Sequence, residues 1–315
     1  MYKTLGRSVL IIALLFLNCC KKANQKDNVT SITGPYAGKY LLFDADEAFN
    51  TGQSVYPSPY TSIYYANIDG SGITRVTGVD SGYYSYRPSW SPDGKQIVFI
   101  RGNQSDSYRA ACIIDVTGAN FKSVVQGNKV DFPSFTPDDT KLIYAKSLTS
   151  TTPYNYDIYV SNTDGTNEQR LTNFADDNGA VANIHCALSG KIYFSAHSDH
   201  VSPGVYSVNA DGSGLKYLLT DVDFLGISPN GARILFDLGD GLYVCDGDGS
   251  NIQKIIPYDN SNPNMLVGAC WAPDNTEIYL SNANYPTIFG IFRINSYGYG
   301  LQQLMTGYYE FPQVF

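Results

Sequence analysis

The chain has 315 residues, of which 21 are lysine or arginine and 29 are aspartate or glutamate, for a formal net charge of −8. An acidic chain without a basic cluster argues against nucleic acid as a partner and against electrostatic binding to anionic lipid. The 26 tyrosines and the charged fraction of only 16% favour an exported all-β protein that folds as one closed domain.

The first residues of the chain predict an export signal. Two basic residues precede an apolar run, 9–17, that is too short to span a bilayer. The run leads into Leu-Asn-Cys-Cys, which resembles a bacterial lipoprotein signal, in which a cysteine is lipidated and becomes the new N-terminus. That resemblance favours Cys20 over Cys19, because Leu17 then occupies the position three residues before the cysteine. An ordinary cleaved signal with two unrelated cysteines is the alternative.

These observations divide the chain into three parts. Residues 1–19 are predicted to be the lipoprotein signal peptide and residues 20–35 a flexible polar tether. Residues 36–315 are predicted to form the folded domain. The predicted location is outside the cytoplasm, with the N-terminal lipid in a bacterial outer membrane and the domain on either side of it.

A five-residue turn motif recurs along the folded domain. Its clearest copy is Trp-Ser-Pro-Asp-Gly at residues 90–94. Proline presets its φ, and aspartate and glycine tolerate the tight conformations that follow, so the motif predicts a turn between two strands. Further copies, some degenerate, begin at Phe135, Cys186, Ile227 and Trp271.

A second turn signature follows each apolar strand pair. An aromatic residue or a cysteine stands six residues before a turn glycine, and Asp-Gly at most of these turns is a strong hairpin signal. The glycines recur every 37 to 49 residues, which matches the length of a four-stranded propeller blade. Six copies predict an all-β, six-bladed β-propeller of four-stranded antiparallel blades. The turn glycines are Gly70, Gly118, Gly165, Gly212, Gly249 and Gly298.

The two ends of the folded domain are predicted to share one blade. The first repeat lacks its leading strand, and its residues 38–43 match a second strand. The last residues, 309–314, align with the leading strands at 85–90 and 130–135. The C-terminal strand is therefore expected to complete the first blade, which closes the ring and removes exposed sheet edges.

The repeats resemble the WD-like repeats of the TolB C-terminal domain and of prolyl-oligopeptidase-type propellers. The matching segments run from Pro88 to Phe99 and from Ile158 to Thr172. The resemblance implies a propeller over nearly the whole mature chain, in a lipoprotein form that lacks the TolB N-terminal domain. It implies no role in the Tol system and does not fix the function, because one propeller fold serves many functions.

Ligand contacts are predicted on the face opposite the turn motif, where the loops between the second and third strands vary in length. The motif itself is expected to hold a blade core and a turn, away from any ligand. Tyrosines in or beside the variable loops are the candidate ligand-face residues, because tyrosine combines an apolar face with a polar tip. They are Tyr56, Tyr60, Tyr84, Tyr154, Tyr156 and Tyr285.

All three histidines, His185, His197 and His200, lie in the fourth repeat. As a metal site they would make the protein a metal-assisted polysaccharide lyase, for which the propeller-fold oligogalacturonate lyases are the family precedent. In those enzymes the ligands converge on the central channel from different blades, whereas here they cluster in one. We therefore predict no metal and no cofactor, with two solvated loop histidines and one near the core.

Four cysteines follow the signal segment, and we expect them to be buried free thiols, although the predicted compartment permits disulfides. The chain contains no Gly-x-Ser-x-Gly elbow, so peptidase chemistry is not expected. The sequence thus predicts a monomeric, non-enzymatic module that binds an envelope protein, a peptide or a glycan through its variable loops. The four cysteines are Cys112, Cys186, Cys245 and Cys270.

Overall fold

The structure is a computed structural model that describes residues 39–46, 61–78, 82–103, 105, 108–127, 129–149, 155–258, 266–284, 288–307 and 309–314. These residues form six four-stranded antiparallel sheets, arranged as the blades of a ring. The predicted all-β, six-bladed propeller is confirmed. Among the described residues, no helix has the length and apolar composition needed to cross a membrane.

The first three blades contain half of the strands. Blade 1 comprises β1 (Tyr40–Asp46), β2 (Thr61–Asn67) and β3 (Thr74–Arg75), with the last strand of the chain, β24 (Glu310–Val314), on the inside. Blade 2 comprises β4 (Tyr83–Trp90), β5 (Gln96–Asn103), β6 (Arg109–Asp115) and β7 (Lys122–Val125). Blade 3 comprises β8 (Val130–Phe135), β9 (Lys141–Ser147), β10 (Tyr156–Asn162) and β11 (Gln169–Arg170).

A short 3-10 helix, Phe174–Asp177, connects blade 3 to blade 4. Blade 4 comprises β12 (Ala180–Cys186), β13 (Ile192–His197), β14 (Gly204–Val208) and β15 (Lys216–Thr220). Blade 5 comprises β16 (Asp223–Ile227), β17 (Arg233–Asp237), β18 (Gly241–Asp246) and β19 (Gln253–Pro257). Blade 6 comprises β20 (Leu266–Trp271), β21 (Glu277–Asn284), β22 (Ile288–Asn295) and β23 (Gln302–Thr306).

The ring closes as the sequence predicts. Strand β24 pairs antiparallel with β1, with Val314 opposite Leu41. The antiparallel order places the turns after the first and third strands of every blade on one face, which we call the motif face. The loops after the second strands and the connections between blades lie on the other face, the variable face.

Large side chains at one repeated register fill the blades. At this register one residue of the second strand pairs with one residue of the third strand. In four blades both residues are aromatic and their rings stack, as between Phe43 and Tyr64, whose centroids are 6.0 Å apart. This is the fixed aromatic position predicted from the sequence, with cysteine replacing the ring in blade 2. The register pairs are Phe43 with Tyr64, Phe99 with Cys112, Tyr144 with Tyr159, Phe194 with Tyr206, Phe236 with Tyr243 and Leu280 with Phe292.

The turn glycines lock each blade to its neighbour. Gly165 has a φ of +82°, and a Cβ placed on it would lie 2.0 Å from the backbone oxygen of Val124 in blade 2. The same contact closes the ring, where a Cβ on Gly70 would lie 2.6 Å from the oxygen of Leu304 in blade 6. These turns therefore join blades through backbone contact that only glycine permits.

Candidate functional site

The six inner strands line the axis of the ring, and each breaks its ladder once near its middle. In β4 the register shifts between Tyr86 and Ser89, and the intervening Arg87 has a φ of +52°. Proline at position 88 cannot donate to the ladder, so the strand bulges at this point. The other shifts lie between Asp131 and Ser134, Ala182 and His185, Phe224 and Gly226, and Leu266 and Gly268, and opposite Leu42 and Asp44 in blade 1.

Below these bulges, toward the motif face, the inner strands surround an axial cavity of about 250 Å³. All six blades contribute to its wall, including proline residues of the turn motifs. The walls are mainly apolar, with indole, phenyl and proline rings. Large rings at the cavity belong to Trp90, Phe132, Phe135, Phe224 and Trp271.

The cavity is asymmetric because opposite blades place different residues at the bulge. Three residues before the motif, blades 2 and 3 have Arg87 and Phe132, each followed by proline, and blade 5 has Phe224, whereas blade 6 has Gly268. A Cβ on Gly226 would have no heavy atom closer than 3.7 Å, its nearest neighbour being Cε1 of His185. Gly226 therefore adds no side chain to the wall beside His185.

Arg87 is the cationic residue of the cavity wall, and its charge is offset. Its guanidinium forms an ion pair with Asp131 and lies 3.7 Å from the centre of the Phe132 ring. Arg109 pairs with the other oxygen of Asp131 at 3.0 Å. These contacts hold the Arg87 side chain against blade 3, so its guanidinium forms a fixed part of the wall of the axial cavity.

His185 contributes a neutral imidazole to the cavity. Its ring packs edge-on against Phe224, with centroids 5.4 Å apart. Burial lowers the pKa of His185 from 6.5 to about 4, because the enclosed site disfavours the charged ring. At neutral pH the ring can therefore both donate and accept a hydrogen bond.

The partly buried imidazole predicts a pH dependence of stability. In the unfolded chain His185 takes up a proton near pH 6.5, and in the folded protein only near pH 4. Below pH 6.5 the unfolded state thus binds more protons, and stability is lost as the pH falls toward 4. We expect wild type to lose about 2 kcal/mol more than His185→Gln between pH 7 and 4, less than the full shift gives because the ring borders a cavity. Urea unfolding across this range checks it, and parallel profiles for both proteins would contradict it.

A second cavity, of about 400 Å³, lies between blades 4 and 5 on the variable face. It is lined by His197 and by three aspartates, Asp221, Asp223 and Asp237. Asp223 and Asp237 face each other across the β16–β17 ladder. Tyr258 donates a hydrogen bond to Asp237. Burial is the main cause that raises the pKa of Tyr258, and this hydrogen bond raises it further.

No family model matches the chain, and no curated protein matches it. Among solved structures, TolB from Acinetobacter baumannii superposes with a TM-score of 0.68 and 15% identity, covering 87% of this chain and 66% of that one. The fold is that of the TolB-like six-bladed β-propellers. The chain thus spans just under two thirds of that TolB.

Two other solved structures share this architecture. An oligogalacturonate lyase in complex with manganese gives a TM-score of 0.57 and 12% identity, covering 74% of this chain and 71% of that one. A chain of a nidogen–laminin complex gives 0.62 and 9%, covering 86% and 97%. At these identities the likeness to each is one of fold.

The TolB-like propeller keeps its three histidines apart. His185 faces Tyr193 in the β12–β13 ladder, and His197 lies four residues further along β13, roughly 13 Å at strand spacing. His200 pairs instead with Asp177, Nδ1 to Oδ1, at 3.2 Å. Within the described part of the chain, no three His, Cys, Asp or Glu side chains are grouped to hold a metal ion.

Two of the six candidate tyrosines can be located. Tyr84 lies in the inner strand β4 rather than in a loop and packs across Gly102 of β5. Tyr156 is the first residue of β10 and packs against the core between blades 3 and 4. The remaining candidates lie outside the described residues, as do both lipidation candidates. These are Tyr56, Tyr60, Tyr154 and Tyr285, with Cys19 and Cys20.

All four cysteines of the folded domain are free, as predicted, and three are fully buried. Cys186 and Cys270 contribute to the axial cavity. Burial raises the pKa of each of these two thiols to about 12, so both are protonated at neutral pH.

The axial cavity is the feature that the sequence interpretation missed. The turn motif is predicted to lie away from any ligand, yet Trp90, Pro92 and Trp271 of the motif copies border the cavity. The signal was present as proline inside predicted strands, at Pro88 and Pro133, because proline within a strand marks an edge or a bulge. These two bulges and the motif turns together bound the space.

Proposed function

We propose that the protein is an exported, lipid-anchored and non-enzymatic binding module that holds a segment of a partner protein or peptide at the axial cavity. One observation carries this proposal: all six inner strands contribute to a single axial cavity with a mainly apolar wall. Contacts of the variable-face tyrosines with the same partner remain a prediction.

The chemistry of the wall favours a side chain of a peptide over a sugar. Aromatic and proline rings bind apolar side chains and extended, proline-containing segments by stacking. A space of about 250 Å³ fits one or two side chains rather than a long ligand. The imidazole of His185 supplies a hydrogen bond, and the charge of Arg87 is offset by Asp131.

Burial also argues against catalysis at this cavity. A nucleophilic cysteine needs a lowered pKa and a base that can accept its proton. Here burial raises the pKa of the Cys186 thiol and lowers that of the neighbouring His185 imidazole, so both are held neutral. This supports binding over nucleophilic chemistry.

Filling the cavity is expected to weaken binding at least about tenfold, because Gly226→Leu adds a side chain at the cavity wall beside His185. Peptides that bind the wild-type protein are first selected from a library of extended peptides. Their dissociation constants are then measured for the wild type and for each variant. Gly226→Ala, whose methyl group makes only ordinary contacts, is the matched control and retains binding. Thermal unfolding of both variants separates lost binding from lost folding.

Two results would redirect the proposal. Equal affinity of wild type and Gly226→Leu for every selected peptide would move the binding site away from the axis. Cleavage of oligogalacturonate by the purified protein, lost in His197→Ala, would instead support the lyase alternative. The lipid anchor is tested separately, by mass spectrometry of the N-terminal peptide isolated from membranes. The mass of the lipid attached to this peptide is expected to be lost in Cys20→Ala.

A further inference from the structure

The chain joins the propeller on the motif face. The carbonyl of Lys39 accepts a hydrogen bond of 2.9 Å from the N–H of Ile68, and Tyr40 faces Asn67 in the β1–β2 ladder. Residue 39 therefore lies beside the turn between the third and fourth strands of blade 1. Any segment that precedes residue 39 therefore joins the propeller at the motif face.

The turns between third and fourth strands lie at the outer rim of the same face, because the fourth strand is outermost. Four of the six turns carry an aspartate, whereas the turns of blades 2 and 6, residues 116–121 and 296–301, have no charged residue, and of these two only the blade 6 turn carries two tyrosines. The aspartates are Asp69, Asp164, Asp211 and Asp248.

In the blade 6 turn, Tyr297, Tyr299 and Leu301 are 65%, 66% and 54% exposed, and we call these three residues the blade 6 rim. Blade 6 adjoins blade 1, where the chain joins. An uncharged aromatic rim thus lies next to the point of attachment.

Hydrogen bonds fix the shape of the blade 6 rim. The backbone N–H groups of Tyr297 and Tyr299 donate to Oδ1 of Asn295 at 3.0 and 2.9 Å. Arg233 of blade 5 donates to the carbonyl of Ser296 at 3.0 Å. The rings are therefore presented on a formed turn, and little conformational entropy is lost when a surface covers them.

We infer that the blade 6 rim rests on the phospholipid bilayer that holds the N-terminal lipid, so that the propeller stands on one edge of its motif face. The inference rests on the lipid anchor of the proposed function. Tyrosine favours the boundary between headgroups and acyl chains, and a turn without carboxylates meets that boundary at little desolvation cost. Because the rim belongs to outer strands of one blade, the axial cavity stays uncovered.

The tether length supports a bilayer as the occupant. Residues 21–38 separate Cys20 from the first described residue, and a flexible tether of that length, as the sequence predicts, would span about 25 Å on average. The motif face is thereby held at high effective concentration beside the membrane. With a net charge of −8, the chain gains nothing from anionic lipid, so the contact is apolar and interfacial.

A matched pair of cysteine variants tests the orientation. Leu301→Cys and Leu215→Cys change the same residue type at the same turn position in blades 6 and 4, where the leucines are 54% and 49% exposed. The full lipidated chain carries a polarity-sensitive fluorophore at either site and is reconstituted into phosphatidylethanolamine–phosphatidylcholine vesicles containing spin-labelled lipid. Protein without an introduced cysteine sets the background.

We expect spin-labelled lipid to quench the label at 301 about threefold more than the label at 215. We expect the same difference in quenching between the two sites at about 0.1 M and at about 1 M salt, because salt screens charge–charge attraction and not apolar contacts. Equal quenching at both sites overturns the inference. Concentration-dependent shielding of position 301 in detergent overturns it in favour of a second copy. Failure of the protein to float with the vesicles refutes the anchor itself, and so separates that failure from a wrong orientation.

Discussion

Gly165→Ala is expected to destabilise the folded protein by about 4 kcal/mol. Alanine at a φ of +82° costs about 1 kcal/mol by itself. Its methyl carbon would also lie 2.0 Å from the backbone oxygen of Val124, closer than any real contact, so blade 2 or blade 3 must shift. A shift between packed blades disturbs many contacts together, which places this substitution among the most destabilising single changes.

Gly212→Ala is the matched control for this prediction. Gly212 occupies the same turn of blade 4 with the same φ of +82°, but its added Cβ would lie 3.2 Å from the oxygen of Leu171. We expect a loss of about 1–2 kcal/mol there, mostly from the backbone conformation. Urea unfolding followed by tryptophan fluorescence gives both values. Equal losses would show that the contact between blades contributes nothing and that φ alone decides.

This contact explains why the repeat could be recognised from sequence. Turn glycines recur because each blade must approach the backbone of the previous one, and Gly165 and Gly70 meet their neighbours in the same way. Strand pattern, turn positions and closure by β24 were therefore all predictable, since each depends on residues close in sequence or on the repeat itself.

The axial cavity could not be located in the same way. Its volume depends on what the side chains of six distant inner strands leave unfilled, and Gly226, Gly268, Phe132 and Arg87 line it from four different blades. Proline at positions 88 and 133 indicated the bulges, but no local sequence pattern determines the width of the ring at the height of the bulges. Long-range geometry decides this part of the site.

Asp157 is the centre of a buried polar network near the variable face. Its carboxylate is fully buried and accepts hydrogen bonds from Nε and Nη2 of Arg170 at 2.9 and 2.5 Å. Oγ1 of Thr172 donates to it at 2.7 Å, and the backbone N–H of Phe174 at 2.8 Å. The network ties β10 and β11 to the helix that leads into blade 4, where Phe174 packs edge-on against Phe194.

Blade 1 shows that part of this network is a repeat feature. The N–H of Ile63 donates to Thr77 at 2.9 Å, as that of Ile158 donates to Thr172 at 3.0 Å. Arg75 stands two residues before its threonine, as Arg170 does, but it bonds Ser62 in place of an aspartate. The recurring Arg-x-Thr was visible in the sequence, whereas the buried carboxylate was not.

Asp157→Ala is accordingly expected to cost about 4 kcal/mol of unfolding free energy, the range for breaking a buried ion pair by removing one partner. Asp176→Ala is the control, because Asp176 pairs with the same Arg170 at 2.8 Å but is 52% exposed. An exposed pair contributes at most about 1 kcal/mol. Comparable losses in the two variants would contradict a dominant role for the buried carboxylate.

A third variant separates charge from hydrogen bonding. Asp157→Asn keeps one oxygen that can accept from Thr172 and from the N–H of Phe174, but it loses the charge that Arg170 meets. If the buried N–H and hydroxyl groups account for most of the cost, asparagine retains about half of the stability that alanine loses. If the ion pair dominates, asparagine and alanine lose the same amount, and the double variant Asp157→Ala/Arg170→Ala recovers part of it. The order of the three unfolding free energies thus shows which interaction holds the connection between blades 3 and 4.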